Sequence, residues 1–138
     1  MEKAAQFLTP VTLELGGKSP VLVLEDADID LAARRIAFGK LLNAGQTCVA
    51  PDYVLVQRAA REPLIAALKR EFRRMLGEEP LKNPEYPRIV NEKHFARLQG
   101  LLAGGEILFG GRTEGLRREP PLLLAEGRAA PAMREEIF

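Results

Sequence analysis

The fold is decided by residues 20–57, which read PVLVLEDADIDLAARRIAFGKLLNAGQTCVAPDYVLVQ. The first five residues are apolar throughout, which is typical of a strand buried on both faces. From Ile29 to about Leu42 the apolar residues recur at helical spacing, and Asp28 stands before them as a favourable N-cap. Tyr53 to Gln57 then read as a second strand. The order strand, helix, strand predicts a parallel pair joined by a crossover helix.

The rest of the chain continues this alternation of strands and helices. Val11 to Leu15 alternates apolar with polar residues, which predicts a further strand ahead of Gly16. Two more helices are predicted at about 62–77 and 91–104, with Pro63 in the first turn of the earlier one. Two short strands are predicted at 106–109 and 121–125, and loops at 77–88 and 110–120. We therefore expect one α/β domain, a mostly parallel open sheet with flanking helices.

Composition narrows the classes of function. The chain has 138 residues and a net charge of +1, so bulk charge gives no support for a nucleic-acid or membrane-surface role. No apolar run approaches the roughly 18 residues of a membrane span, and the first residues lack the apolar stretch of a secretory signal. One cysteine and one histidine exclude an internal disulfide and a cysteine-rich or histidine-rich metal site. We expect a metal-free, cytoplasmic domain.

The single cysteine, Cys48, follows the first helix in the run Gly45-Gln46-Thr47. A lone intracellular cysteine is most often a small buried hydrophobe. Connections held by a rigid sheet, however, often carry reactive groups, and a nucleophilic cysteine needs partial exposure and a stabilised thiolate. Backbone N–H groups of the same turn could also hold an oxyanion. Spacing alone leaves both interpretations open.

Glu14 is a carboxylate inside the largely apolar segment before Gly16 and Gly17. It is either a surface residue of an edge strand or a partly buried base at the carboxyl end of a strand. The two glycines would let another chain segment or a ligand approach the backbone. A phosphate-binding P-loop is excluded because Thr12 stands where its first glycine belongs, and no G-x-G-x-x-G lies between a strand and a helix.

Three segments together resemble the signatures of the aldehyde dehydrogenase family. Residues 13–20, LELGGKSP, resemble its glutamate signature, and residues 43–50, NAGQTCVA, resemble its cysteine signature. Residues 135–138, EEIF, resemble the start of a third motif that continues with Gly-Pro. The three stand in the family's order, and the resemblance covers the whole chain. Residues 51–56 and 88–95 are most similar to the branch that holds class 3 and coniferyl-type aldehyde dehydrogenases.

The resemblance implies the catalytic roles. Cys48 matches the nucleophile, which attacks the aldehyde carbonyl to give a thiohemiacetal and, after hydride transfer to NAD(P)⁺, a thioester. Its amide matches one donor of the oxyanion hole. Glu14 matches the general base that activates water for deacylation, and its presence argues for the hydrolytic type within the superfamily.

The resemblance also implies cofactor contacts. Glu136 matches the carboxylate that holds the nicotinamide ribose hydroxyls, and Phe138 matches the aromatic side chain that packs near the nicotinamide. Leu15 and Gly16 match the backbone beside that ring. The implied cofactor is NAD or NADP.

Family members are several times longer than this chain. The resemblance therefore implies a partial catalytic domain over residues 1–138, without the NAD(P)-binding domain, the second oxyanion donor or the strand used for subunit assembly. Such a chain is expected to oxidise aldehydes only within a longer enzyme and to be inactive or very weak alone. Its implied partners are a small aldehyde and further subunits of a homodimer or homotetramer, with no nucleic acid and no membrane. An inactive folded remnant with a buried Cys48 and a cofactor-independent thiol esterase remain as alternatives.

Overall fold

The computed structural model describes residues 1–138. The regular elements in chain order are α1 (Glu2–Ala5), β1 (Ser19–Val23), α2 (Ile29–Leu41), β2 (Pro51–Val56), α3 (Arg58–Leu76), α4 (Glu92–Leu101), β3 (Gly105–Phe109), β4 (Thr113–Glu114), β5 (Arg117–Arg118), β6 (Leu122–Ala125) and α5 (Pro131–Arg134). Two short 3₁₀ turns, Leu42–Gly45 and Pro80–Lys82, lie between them. No helix is both long enough and apolar enough to cross a membrane.

The unit β1–α2–β2 forms as the sequence predicts. The two strands pair in parallel, with Val21 opposite Val54. The side chain of Asp28 caps α2 by accepting from the Leu31 N–H at 3.0 Å, because a carboxylate there satisfies a backbone donor that the first helical turn leaves free. Helices α2 and α3 pack together over the strands around one core cluster: Val23, Ala33, Ile36, Ala60, Leu64, Ala67 and Leu68.

The second half of the chain forms two antiparallel pairs. Strand β3 pairs with β6, and the short strands β4 and β5 form a hairpin in the connection between them. The α/β class is confirmed, and β1–β2 is the parallel pair among three. The remaining pairs are antiparallel because β3 returns to β6 through the hairpin, without a crossover helix.

Some local predictions are wrong. Residues 9–18 form no regular structure, so the strand predicted at 11–15 is absent, and Leu15 is 85% exposed. An alternating pattern makes a strand only where another strand offers its edge, and none of the strands in the chain pairs with this segment. Helix α3 begins at Arg58, about one turn earlier than predicted, and Pro63 lies inside it. The predicted loops contain the Pro80–Lys82 turn and the β4–β5 hairpin.

Candidate active site

Cys48 lies in the turn between the first 3₁₀ turn and β2, and it is an exposed free cysteine. Its exposure contradicts the interpretation as a small buried hydrophobe and meets one requirement for a nucleophile. The neighbouring N–H groups of Thr47 and Ala50 donate to carbonyls of the turn at 2.9 and 3.1 Å. The Cys48 N–H has no acceptor within the chain, so it remains free to donate to an incoming oxygen.

The turn that carries Cys48 is fixed by Gln46. Its amide oxygen accepts from the Val90 N–H at 2.9 Å, and its amide nitrogen donates to the carbonyls of Asn43 and Arg88 at 3.0 and 3.2 Å. One side chain thus ties the turn to itself and to the segment before α4. Asn43 and Ala44 both have left-handed backbones, with φ of 51° and 54°, and this lets α2 end and the chain turn sharply.

The segment that carries Glu14 passes beside this turn. A Cβ on Gly17 would overlap the Cys48 carbonyl oxygen, and the Ser19 hydroxyl donates to the same oxygen at 3.5 Å. Glu14 lies three residues before Gly17 and is exposed, so of the two interpretations partial burial is wrong; the side chain lies on the surface, although the predicted edge strand is absent. Its segment pairs with no strand, and its side chain is exposed.

The two glycines of this segment also receive Glu136. Its carboxylate oxygen Oε1 accepts from the Gly17 N–H at 2.8 Å, and Oε2 occupies the space that a Cβ on Gly16 would fill. Gly16 has a φ of +118°, which other residues rarely adopt. The structure therefore brings the Cys48 turn, the glycine pair and Glu136 together, whereas Leu15 and Phe138 are exposed.

A buried ion pair that sequence analysis did not predict holds Glu136 in place. The ammonium of Lys18 donates to Asp52 Oδ1 at 2.5 Å and to the carbonyls of Ala132 and Glu135 at 2.7 and 2.8 Å. The other oxygen of Asp52 accepts from the Ile137 N–H at 2.9 Å, and the Asp52 side chain is only 4% exposed. These contacts join the starts of both parallel strands to the end of the chain.

Arg97 of α4 holds the same end from its other side. Its guanidinium donates to Glu135 Oε2 at 3.1 Å and to the carbonyls of Glu136 and Ile137 at 3.0 and 2.6 Å. Neither Arg97 nor Asp52 stands in a motif that marks such a role, so no sequence pattern predicted their contacts. Lys18 and Gln46 lie inside the matched signatures, and this position was the one indication in the sequence that they contribute to the site.

The glycine pair and Glu136 fit the ribose end of a nicotinamide nucleotide. Glu136 is half-buried and accepts one backbone N–H, so its carboxylate keeps acceptor capacity for hydroxyl groups. The missing side chains of Gly16 and Gly17 leave room for the Glu136 carboxylate and the Cys48 carbonyl oxygen. The chain offers no cluster of three or more histidine, cysteine or acidic side chains arranged to hold a metal ion.

Comparisons with known proteins agree with these features. The aldehyde dehydrogenase family model matches residues 1–138. The dimeric NADP-preferring aldehyde dehydrogenase of Canis lupus familiaris is 44% identical over 140 residues, which cover 100% of this chain and 31% of the relative. Aldehyde dehydrogenase family 3 member A2 of Mus musculus is 46% identical over 140 residues, which cover 100% of this chain and 29% of the relative.

A solved structure shows the same fold. The substrate-bound state of AldH from Staphylococcus aureus superposes with a TM-score of 0.89 at 46% identity, over 99% of this chain and 31% of that chain. This chain thus spans about three tenths of the length of the proteins that it matches. The mouse relative is a family 3 member, in agreement with the predicted class 3 branch. The chain belongs to the aldehyde dehydrogenase family.

Proposed function

We propose that this chain supplies the nucleophile and the general base for NAD(P)-dependent oxidation of aldehydes to carboxylic acids, as part of a longer enzyme. The observation that carries the proposal is the turn with the exposed Cys48 thiol, whose backbone carbonyl lies against Gly17, three residues after Glu14. A thiol that works with a carboxylate base suits acyl transfer to water.

In the proposed reaction, the Cys48 thiolate attacks the carbonyl carbon of the aldehyde. The C=O electron pair moves to oxygen, and the free Cys48 N–H donates to the oxyanion of the resulting thiohemiacetal. NAD(P)⁺, when bound, would supply the acceptor for the hydride that leaves carbon, and the acyl group would then stay on Cys48 as a thioester. Glu14 then accepts a proton from water as the water attacks the thioester, the C–S bond breaks, and the carboxylic acid and the thiolate are released.

Four positions of this chain would contact the nicotinamide end of the cofactor. Glu136 would accept hydrogen bonds from the ribose hydroxyls, and the backbone of Gly16, whose missing side chain makes room for the Glu136 carboxylate, would lie beside the nicotinamide. Leu15 and Phe138 are exposed and offer apolar surface beside that position. Support comes from the fixed position of Glu136, which is held by Gly17 and by the Lys18–Asp52 ion pair.

The cysteine and glutamate roles are tested by acyl transfer, which needs no cofactor. The chain is mixed with p-nitrophenyl acetate, nitrophenolate release is followed by absorbance, and the acyl group on Cys48 is followed by mass spectrometry. We expect rapid acylation of the native chain and none at this site in Cys48→Ala. Glu14→Gln should acylate normally but lose the acyl group at least about tenfold more slowly, because water loses its base. Glu25→Gln, which changes another exposed glutamate, is the matched control.

Each failure of this experiment contradicts a different part of the proposal. If Cys48 acylates no faster than free N-acetylcysteine, the nucleophile role is wrong and the chain is a folded remnant. If Glu14→Gln and Glu25→Gln deacylate alike, the base role is wrong.

A cofactor-independent thiol esterase is the second candidate, and the exposed thiol favours it for the isolated chain. The two candidates differ within a longer enzyme, where the first requires NAD(P)H formation from an aldehyde with NAD⁺ or NADP⁺ and the second does not. We expect the 138 residues alone to form no NAD(P)H, and robust aldehyde-dependent NAD(P)H formation would contradict that expectation. Within a longer enzyme we propose a small aldehyde as substrate and a homo-oligomeric assembly. The word dimeric in the name of the canine relative supports the latter.

A further inference from the structure

The carboxamide of Gln46 connects the Cys48 turn to backbone groups 42 and 44 positions further along the chain. Its oxygen Oε1 accepts from the Val90 N–H at 2.9 Å, and its nitrogen Nε2 donates to the carbonyls of Arg88 at 3.2 Å and Asn43 at 3.0 Å. A backbone N–H only donates and a carbonyl only accepts, so these contacts need an acceptor and a donor on one side chain. A neutral amide provides both, whereas a carboxylate, which only accepts, does not.

The segment that receives the Gln46 side chain is itself fixed by burial. Ile89, between the two residues that Gln46 contacts there, is 5% exposed and packs in a core cluster with Leu98 and Leu101 of α4. The Ile89 N–H donates to the Leu116 carbonyl at 2.9 Å. Close-packed interiors resist displacement, so hydrogen bonds to this segment fix the turn against the body of the domain.

The other hydrogen bonds of the turn are local or long. The N–H groups of Thr47 and Ala50 donate to carbonyls within the turn, which shapes it but does not fix it relative to the rest of the chain. The Ser19 hydroxyl lies 3.5 Å from the Cys48 carbonyl oxygen, at the limit of a hydrogen bond. Cys48 comes two residues after Gln46, so its thiol and its free N–H depend on the same carboxamide for their position.

We propose that Gln46 is a positioning residue for the reaction at Cys48. Its carboxamide holds the turn so that the thiol and the free Cys48 N–H face one carbonyl group, the sulfur at the carbon and the N–H at the oxygen. The proposal rests on the proposed nucleophile role of Cys48. It adds the requirement that the side chain at position 46 is uncharged and both donates and accepts.

Two reactions of the thiol separate its position from its exposure. Acylation by p-nitrophenyl acetate places negative charge on a carbonyl oxygen and uses the Cys48 N–H, whereas disulfide exchange with dithiobis(nitrobenzoic acid) needs only an accessible thiolate. Gln46→Met removes the three hydrogen bonds and keeps an unbranched side chain. In the full 138-residue chain it should slow acylation at least about tenfold and change the rate of disulfide exchange less than about threefold.

Gln46→Glu adds a test that depends on pH. An ionised carboxylate at position 46 cannot donate and repels the carbonyl oxygens of Asn43 and Arg88, whereas a protonated carboxyl donates once and accepts once. The acylation rate of Gln46→Glu, divided by the native rate at the same pH, should therefore rise at least about threefold from about pH 8 to about pH 5. The same ratio for Gln46→Met should stay constant. Disulfide exchange at each pH corrects for any change in the thiolate fraction.

Gln57 offers the matched control. Its amide oxygen also accepts from a distant backbone N–H, that of Glu25, at 2.5 Å, but it follows the opposite end of β2 from the Cys48 turn. Gln57→Met and Gln57→Glu should leave both rates within about twofold of the native rates, with no change of the ratio with pH. Circular dichroism verifies that all four variants fold.

Three results would overturn the role of Gln46. The first is acylation of Gln46→Met at the native rate. The second is an equal loss of acylation and of disulfide exchange, which would show that the side chain only keeps the turn folded. The third is a Gln46→Glu ratio that does not change with pH. Failure of the nucleophile role is distinct, because the native Cys48 would then acylate no faster than free N-acetylcysteine, and both proposals would be rejected.

Discussion

Replacement of Asp52 by alanine should release the end of the chain that carries Glu136. Asp52 is 4% exposed, binds the Lys18 ammonium at 2.5 Å and accepts from the Ile137 N–H at 2.9 Å. Removing one partner of a buried ion pair costs about 3–5 kcal/mol. The lower end applies here because Lys18 is 24% exposed and keeps two carbonyl acceptors.

A cost of about 3 kcal/mol corresponds to an opening equilibrium raised about 100-fold. The segment 132–137 is held mainly by side chains, so we expect the opening to be local. Native-state hydrogen exchange measured by mass spectrometry should show amides of residues 133–137 exchanging about 100-fold faster in Asp52→Ala. Amides of α3 should change far less. Asp52→Asn, which keeps an acceptor for the Ile137 N–H but loses the charge, should give an intermediate effect.

The chain offers a matched control in Asp30. Asp30 also binds a cation at 2.5 Å, the Arg70 guanidinium, but the two side chains are 72% and 58% exposed. Exposed ion pairs contribute at most about 1 kcal/mol, so Asp30→Ala should change exchange of residues 133–137 hardly at all. Equal protection of these residues in Asp52→Ala and Asp30→Ala would refute the argument that burial of the ion pair holds Glu136.

Three other predictions test the packing and the exposed surface. Burial raises the pKa of Tyr86 to about 12, above the 10 of an exposed tyrosine. The folded state therefore gains stability from the neutral phenol below pH 10 and loses it as the pH rises through 12. In urea unfolding, the free energy of unfolding at pH 11 should be about 1.4 kcal/mol lower than at pH 9, and this difference should vanish in Tyr86→Phe. Gly16→Ala should displace Glu136 and lower the free energy of unfolding by about 1–3 kcal/mol. Gly115→Ala, also at positive φ but in open space, should leave the Gly17 amide as protected from hydrogen exchange as before. Equal loss of Gly17 protection in both variants would contradict the clash at Gly16. Self-association should appear in sedimentation velocity because large apolar side chains such as Leu8 and Leu15 are exposed, and a monomer at high concentration would contradict this prediction.

Local patterns predicted most of the elements because their causes are local. The periodicity of α2, the cap at Asp28 and the cap at Asn91, which accepts from the His94 N–H at 2.9 Å, depend on residues within one or two turns. The prediction of a strand at 11–15 was wrong because its cause is not local. Its alternation is that of a strand, but hydrogen bonds to a neighbouring strand decide whether a strand forms, and the chain provides none for it.

In the candidate site, too, local sequence patterns could be recognised, whereas contacts between distant segments could not. The signatures around Glu14 and Cys48 and the final four residues stood out in the sequence, and the structure brings the Cys48 turn, the glycine pair and Glu136 into contact. The ion pair between Lys18 and Asp52 could not be predicted, although Lys18 lies inside a matched signature, since the two residues lie 34 positions apart in segments with no shared pattern.

The contacts that assemble the site have a consequence for the order of folding. Gly17 and Glu136 are separated by 119 positions, Lys18 and Ala132 by 114, and Asp52 and Ile137 by 85. Closing loops of this length costs entropy that nearby contacts must first offset, and such contacts form late. The core of β1, α2, β2 and α3 lies within residues 19–76 and can form earlier. During synthesis Glu136 would therefore reach the glycine pair only after residues 132–137 emerge, whereas the Cys48 turn, tied by Gln46 to Arg88 and Val90, can form before them.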